Sequence, residues 1–134
     1  MIILKKNFLK FLTVFMICLI MITPIVAQAA TKDFKFDMTH QLYIGKYKST
    51  KNSVTGKINM TSWGGDTYFT IHVYEQKNWW SNAQLVTRLG FEKSSKGSPY
   101  TDTDYSVKKG HTYSYEIWKN YNYKRIIGKG SLSY

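Results

Sequence analysis

The sequence predicts an all-β domain, an antiparallel two-sheet β-sandwich of about seven strands, with a small β-barrel as the alternative. Three observations carry this. Apolar and polar residues alternate with a period of two repeatedly between Thr31 and Tyr134. No stretch there places its apolar residues at helical spacing over about ten positions. Turn-forming residues recur at intervals of about ten, and Pro99 is the one proline among them.

Phe34, Phe36, Met38, His40 and Leu42 alternate with polar neighbours and predict a first strand over 33–44. A loop rich in Lys, Ser, Thr and Asn follows over 45–53 and carries Lys46, Tyr47, Lys48 and Lys51. Val54, Gly56, Ile58, Met60 and Ser62 mark one face of a second strand ending at Trp63, where Gly64-Gly65-Asp66 supplies a hairpin turn. Phe69, Ile71 and Val73 define the inward face of a third strand that stops near Gln76. Its opposite face, Tyr68, Thr70, His72 and Tyr74, mixes aromatic and polar groups and can meet water. After Lys77-Asn78-Trp79-Trp80-Ser81 comes a fourth strand, with Ala83, Leu85, Thr87, Leu89 and Phe91 on one side and Gln84, Val86 and Arg88 on the other. Residues 92–104 show no alternation and read as the longest loop.

Tyr105 to Val107 predicts a short strand, Lys108-Lys109-Gly110 a turn, and Thr112 to Lys119 a strand with Tyr113, Tyr115 and Ile117 against Ser114, Glu116 and Trp118. Asn120-Tyr121-Asn122 is a further turn. The last strand spans Tyr123 to Ser133, with Gly128 and Gly130 marking a bulge or a close approach. The run Val107-Lys108-Lys109-Gly110-His111-Thr112-Tyr113, a lysine-glycine turn leading into a tyrosine-rich strand, resembles β-sandwich modules appended to secreted bacterial proteins. It covers a fraction of the chain and names no family.

Ahead of this domain the chain carries Lys5, Lys6 and Lys10, an apolar stretch from Phe11 to Ile22, Thr23-Pro24 and the small-residue pattern Ala27-Gln28-Ala29. That layout predicts an export signal over 1–29, cleaved after Ala29 or Ala30, and a single secreted domain over 30–134. The apolar stretch falls short of the roughly 20 residues a membrane-crossing helix needs, so no stable transmembrane anchor is expected. The one cysteine, Cys18, sits inside that stretch rather than at a lipidation point and leaves with the signal. Without a disulfide, the domain has to reach stability through packing alone. Exported proteins lacking cysteine set a Gram-positive source as the expectation.

Three of the 19 basic residues belong to the signal, leaving 16 against 8 acids, a net charge of +8 on the domain. Such a surplus attracts polyanions. Outside the cell these are wall phosphate polymers, acidic polysaccharide or an anionic membrane surface, rather than nucleic acid.

No enzymatic arrangement stands out. His40, His72 and His111 fall on separate elements without metal-ligand spacing, and His40 reads as a core-edge residue. The eight carboxylates are scattered. Asp102 and Asp104 resemble a fragment of a calcium loop, but a polar turn is the simpler reading. No cofactor or metal site is expected.

Aromatics are the informative excess: four Trp, eleven Tyr and four of the seven Phe follow the signal. Tyrosine and tryptophan join an apolar face to a polar edge, which suits them to sugar rings and membrane interfaces. Trp79 and Trp80 are adjacent, so they cannot both point into one core. In an antiparallel sandwich alternate loops emerge at one end. Loops 45–53, 77–81 and 108–111 then share a pole bearing Lys46, Tyr47, Lys48, Lys51, Lys77, Trp79, Trp80, Lys108, Lys109 and His111, with no acid among them. The opposite pole gathers Trp63, Asp66, Lys93, Lys96, Tyr100, Asp102, Asp104 and Lys119, whose charges nearly cancel. The function expected is a secreted, basic, non-enzymatic binding module for an anionic cell-envelope or extracellular polymer. The alternative is a bacteriocin-like or toxin-like membrane-active protein.

Overall fold

The computed structural model describes residues 29–134. The expected export signal and Cys18 lie outside them. Eight strands form, β1 (Thr31–Met38), β2 (Gln41–Lys48), β3 (Val54–Ser62), β4 (Tyr68–Glu75), β5 (Gln84–Glu92), β6 (Tyr100–Asp104), β7 (Thr112–Trp118) and β8 (Ile126–Ser133). They make two four-stranded antiparallel sheets, ordered β1-β8-β3-β6 and β2-β7-β4-β5. The two-sheet sandwich expected from the alternation is the fold.

The inward side chains of both sheets meet in one core. Phe36, Val54, Ile58, Phe69, Ile71, Val73, Leu89, Phe91, Tyr115, Ile117, Ile126 and Leu132 are all buried. Phe69 is its hub, with ring centroids 5.6 Å from Phe36, 5.7 Å from Trp63 and 5.2 Å from Phe91. Close approach explains the glycine in central strand β8: a Cβ at Gly128 would lie 2.6 Å from Phe36 Cζ and 2.8 Å from the Asn59 carbonyl oxygen. Aromatic volume has replaced side chain there.

The strand boundaries depart from expectation in four places, one being the last strand, which begins at Ile126 and not at Tyr123. The first expected strand is two: Thr39 and His40 carry the chain from one sheet to the other, β1 pairing with β8 and β2 with β7. Phe36, Met38 and Leu42 keep the same parity through this corner, so the alternation passes over it unbroken. β2 also continues to Lys48, so Lys46, Tyr47 and Lys48 belong to a strand and not to a loop. The fifth expected strand lies earlier than 105–107, as β6 inside the segment read as a loop. Its Thr-Asp-Thr-Asp sequence is poor in strand-formers, but its backbone pairs with β3 over Val54–Ile58. In β5, the register shift opposite Val73 and Tyr74 turns Leu85 outward, where it is exposed rather than in the core.

Antiparallel succession sends connections 39–40, 63–67, 93–99 and 119–125 to one end, the upper pole, and 49–53, 76–83 and 105–111 to the other, the lower pole.

Candidate functional site

The lower pole is built from three connections that touch. The Ser49 amide donates to the His111 carbonyl and the Gly110 amide to the Ser49 carbonyl, each at 2.8 Å. The Lys109 amide donates to Asn52 Oδ1 at 2.8 Å. His111 Nδ1 stands 2.6 Å from Glu75 Oε1, which ties this pair of loops to the end of β4 and so to the tryptophan turn.

That turn is braced by its own polar side chains. Gln76 Nε2 donates to the Ser81 carbonyl at 2.9 Å, and the Asn78 amide donates to Ser81 Oγ at 3.2 Å. The bracing leaves the indoles outside: Trp79 is 87% and Trp80 69% exposed, with ring centroids 5.5 Å apart and planes at 89°. Lys46, Lys48, Lys77, Lys108 and Lys109 are exposed. Lys46 sits two residues up β2 from the pole, opposite Ser114. Lys51 is half-buried and donates to Ser133 Oγ at 2.8 Å.

Tyr47 is placed differently from the lysines beside it. A register shift between Tyr43 and Gly45 turns it inward. It stacks on Tyr134 with centroids 4.9 Å apart and planes at 11°, and on Tyr115 at 6.0 Å. Tyr47 thus fills the space between the sheets.

The pole also carries acids. Glu75 ends β4 there, and Asp104 arrives there rather than at the upper pole because β6 runs downward. Burial works to raise the Asp104 pKa, but hydrogen bonds from Ser106 and Thr87 outweigh it and hold the carboxyl below its ordinary value. Asp102 Oδ2 accepts the Gly90 amide at 2.8 Å and Oδ1 accepts the Thr103 amide at 2.9 Å, stitching β6 to β5. These carboxylates accept from backbone amides. Among the described residues no group of three or more His, Cys, Asp or Glu side chains is placed to hold a metal.

A second concavity lies at the upper pole, on the outer face of β4 and β7. It is a groove of about 470 Å³ lined by His40, Tyr68, Thr70, His72, Trp118 and Tyr121, among others. His72 stacks on Trp118, with centroids 5.2 Å apart and planes at 12°. His40 meets Trp118 edge-on at 5.4 Å and Tyr121 at 5.7 Å. His40 is half-buried, and its Nδ1 lies 2.9 Å from the Lys119 carbonyl, which assigns the proton to that nitrogen. Burial, and then the charge of Arg88, push His72 below its ordinary pKa against a smaller opposing pull from Glu116. His72 is therefore neutral at pH 7.

Beneath the groove, Lys119 is a buried cation whose side chain is 1% exposed. Its Nζ donates to the carbonyls of Thr39 (2.9 Å), Asn120 (2.9 Å) and Lys124 (3.0 Å) and lies 2.7 Å from Asn122 Oδ1. It is also 2.9 Å from Asp66 Oδ2, an oxygen with no well-aligned hydrogen bond of its own, so charge holds it. Asn122 Nδ2 donates to Asp66 Oδ1 at 2.6 Å. The ammonium thus gathers connections 39–40, 63–67 and 119–125 as a bound metal ion would.

Burial raises the Asp66 pKa, but the close approach of the Lys119 ammonium, the hydrogen bond from Asn122 and the charge of Lys124 bring it below the ordinary 3.8. A carboxyl with its folded pKa depressed contributes stability that is complete above the unfolded value and is lost as pH falls through the folded one. Asp104 and Asp37 shift the same way, Asp37 through its hydrogen bonds to Arg125. Urea unfolding should therefore show the domain losing stability steadily below about pH 4. A flat profile there would contradict the ion-pair description.

The sequence marked the outward row Tyr68, Thr70, His72 and Tyr74 as a face that can meet water, and its first three members line the groove. It did not join Trp118, His40 and Tyr121 to that row, because the register that sets Thr70 beside Trp118 is a long-range pairing. Equal parity of outward aromatics on separate strands was the available signal.

No family model matches the chain, and no curated protein matches it.

Proposed function

We propose that this domain is a secreted, non-enzymatic binding module that holds an anionic polymer of the cell envelope or extracellular space at its lower pole. One observation carries the reading: adjacent indoles, 87% and 69% exposed, stand on a turn braced to present them. Exposed apolar rings of this size on a folded surface mark a contact surface, and indoles combine apolar faces with an N–H donor. Lys77, Lys108, Lys109 and Lys48 on the same pole add attraction for phosphate or carboxylate. Lys46 and Lys51 extend the positive rim along β2 and toward Ser133.

The test is sedimentation with purified wall sacculi and with anionic vesicles. The Trp79→Ala/Trp80→Ala variant should lose about tenfold or more in affinity with its melting temperature unchanged, since both rings are outside the core. Wild-type retention should fall steeply as salt rises, because exposed charges are screened over about 10 Å at 0.1 M. Equal binding by the double variant would move the site away from this pole. Dye release from anionic liposomes by the wild type would favour the membrane-active alternative, for which the same tryptophans would serve as interfacial anchors.

A further inference from the structure

We propose that the upper groove is a second binding site, for a neutral sugar ring. It goes beyond the polyanion reading and rests on different residues.

The floor of the groove is an aromatic platform. Tyr68 on β4 lies across Gly90 on β5: a Cβ at Gly90 would fall 2.9 Å from Tyr68 Oη and 3.4 Å from Cε2. A side chain at that position would push the ring off the sheet. The hydroxyl end of the Tyr68 ring therefore covers the glycine while the residue stays 54% exposed. A pyranose presents a face of C–H bonds that fits against such a ring, while its hydroxyls point outward in the plane.

The wall opposite is also aromatic, formed by the Trp118–His72 stack and by Tyr121, which is 59% exposed and edge-on to His40. Between platform and wall lie the Asn120 amide and the Thr70 hydroxyl, which donates to the Trp118 carbonyl at 3.4 Å and keeps its lone pairs for a donor. Hydroxyl and amide groups both donate and accept, which is what sugar hydroxyls require.

Charge decides the class of sugar. The ions lining the groove are Asp66 and Lys119, which neutralise each other. His72 adds none at pH 7. The charges that reach His72 from outside the lining, Arg88 and Glu116, also oppose each other, so the groove lacks the lysine excess of the lower pole, about 25 Å away along the strands.

The rim is fixed as well. Tyr121 and Tyr123 have ring centroids 4.8 Å apart, and Tyr123 holds a φ of 60°, a left-handed conformation uncommon for a tyrosine. Lys119 anchors this connection through Asn120, Asn122 and Lys124. Lys119 is thus a positioning residue for the groove.

Titration of the ¹⁵N-labelled domain with an N-acetylglucosamine oligomer and a glucose oligomer, at high salt, tests the proposal. Saturable shifts are expected at the Trp118 indole N–H and the Gly90 amide with at least one of the two. Tyr68→Ala should weaken binding about tenfold or more, and Gly90→Val should weaken it similarly by lifting the ring. Trp79→Ala/Trp80→Ala should leave it unchanged, which separates this site from the polyanion site. Tyr68 is largely exposed, so Tyr68→Ala should keep the wild-type melting temperature. The proposal is overturned if neither oligomer shifts these signals at millimolar concentration, or if Tyr68→Ala binds as the wild type does.

Discussion

Replacing Lys119 by Met should destabilise the domain by about 3–5 kcal/mol, the usual result of removing one partner of a buried ion pair. Methionine keeps an unbranched stem as far as Cε and lacks only the ammonium, so most of the loss reports charge and hydrogen bonding. It strands the Asp66 carboxylate and removes the donor from the carbonyls of Thr39, Asn120 and Lys124. Urea unfolding measures the loss. Adding Asp66→Asn to the Met variant should recover part of it, since the uncompensated negative charge goes. The pH profile gives a second readout. In wild type the Asp66 pKa is depressed, so acid weakens the fold. In Lys119→Met, burial without a cation raises that pKa, and lowering the pH should strengthen the variant relative to neutral. A loss of less than about 1 kcal/mol would put Lys119 among ordinary surface pairs.

Phe69→Ala should also cost about 3–5 kcal/mol, through lost burial and the cavity left behind. The ring touches Phe36, Trp63 and Phe91, which come from β1, the β3–β4 connection and β5, so both sheets lose contact at once. The described domain has no disulfide to limit the damage, and a domain's whole stability is about 5–15 kcal/mol. The near-ultraviolet circular dichroism should weaken along with the denaturation midpoint. Phe69→Leu, which keeps most of the volume, should lose much less. Equal losses from the two variants would mean that the aromatic contacts themselves, rather than filled space, hold the sheets together.

The sandwich was legible because each strand has one buried face, which imposes a period of two on residues such as Phe69, Ile71 and Val73. The break at Thr39-His40 was not, because a corner that preserves parity leaves no mark in the alternation. β6 escaped because its Thr-Asp-Thr-Asp sequence spends its carboxylates on Gly90, Thr103 and Ser106 amides, long-range and local contacts that a propensity reading cannot see. At the lower pole, chain parity alone assembled the three connections, and adjacency alone required one of Trp79 and Trp80 to leave the core. Tyr47 needed the register shift at Gly45. The upper groove depended on which strands are neighbours, the quantity that one sequence without pairing information leaves open.

β8 lies in the interior of its sheet, between β1 and β3. Thr31 has no partner until Ser133 arrives, and Thr55, paired on one side with Thr103 of β6, waits for the same residue on the other. That sheet cannot be completed from the front of the chain, and such distant pairing makes assembly slow. For the exported domain proposed above, slowness is an asset: a polypeptide that stays loose until its final segment appears can be threaded through a membrane pore first and close into its sandwich on the far side.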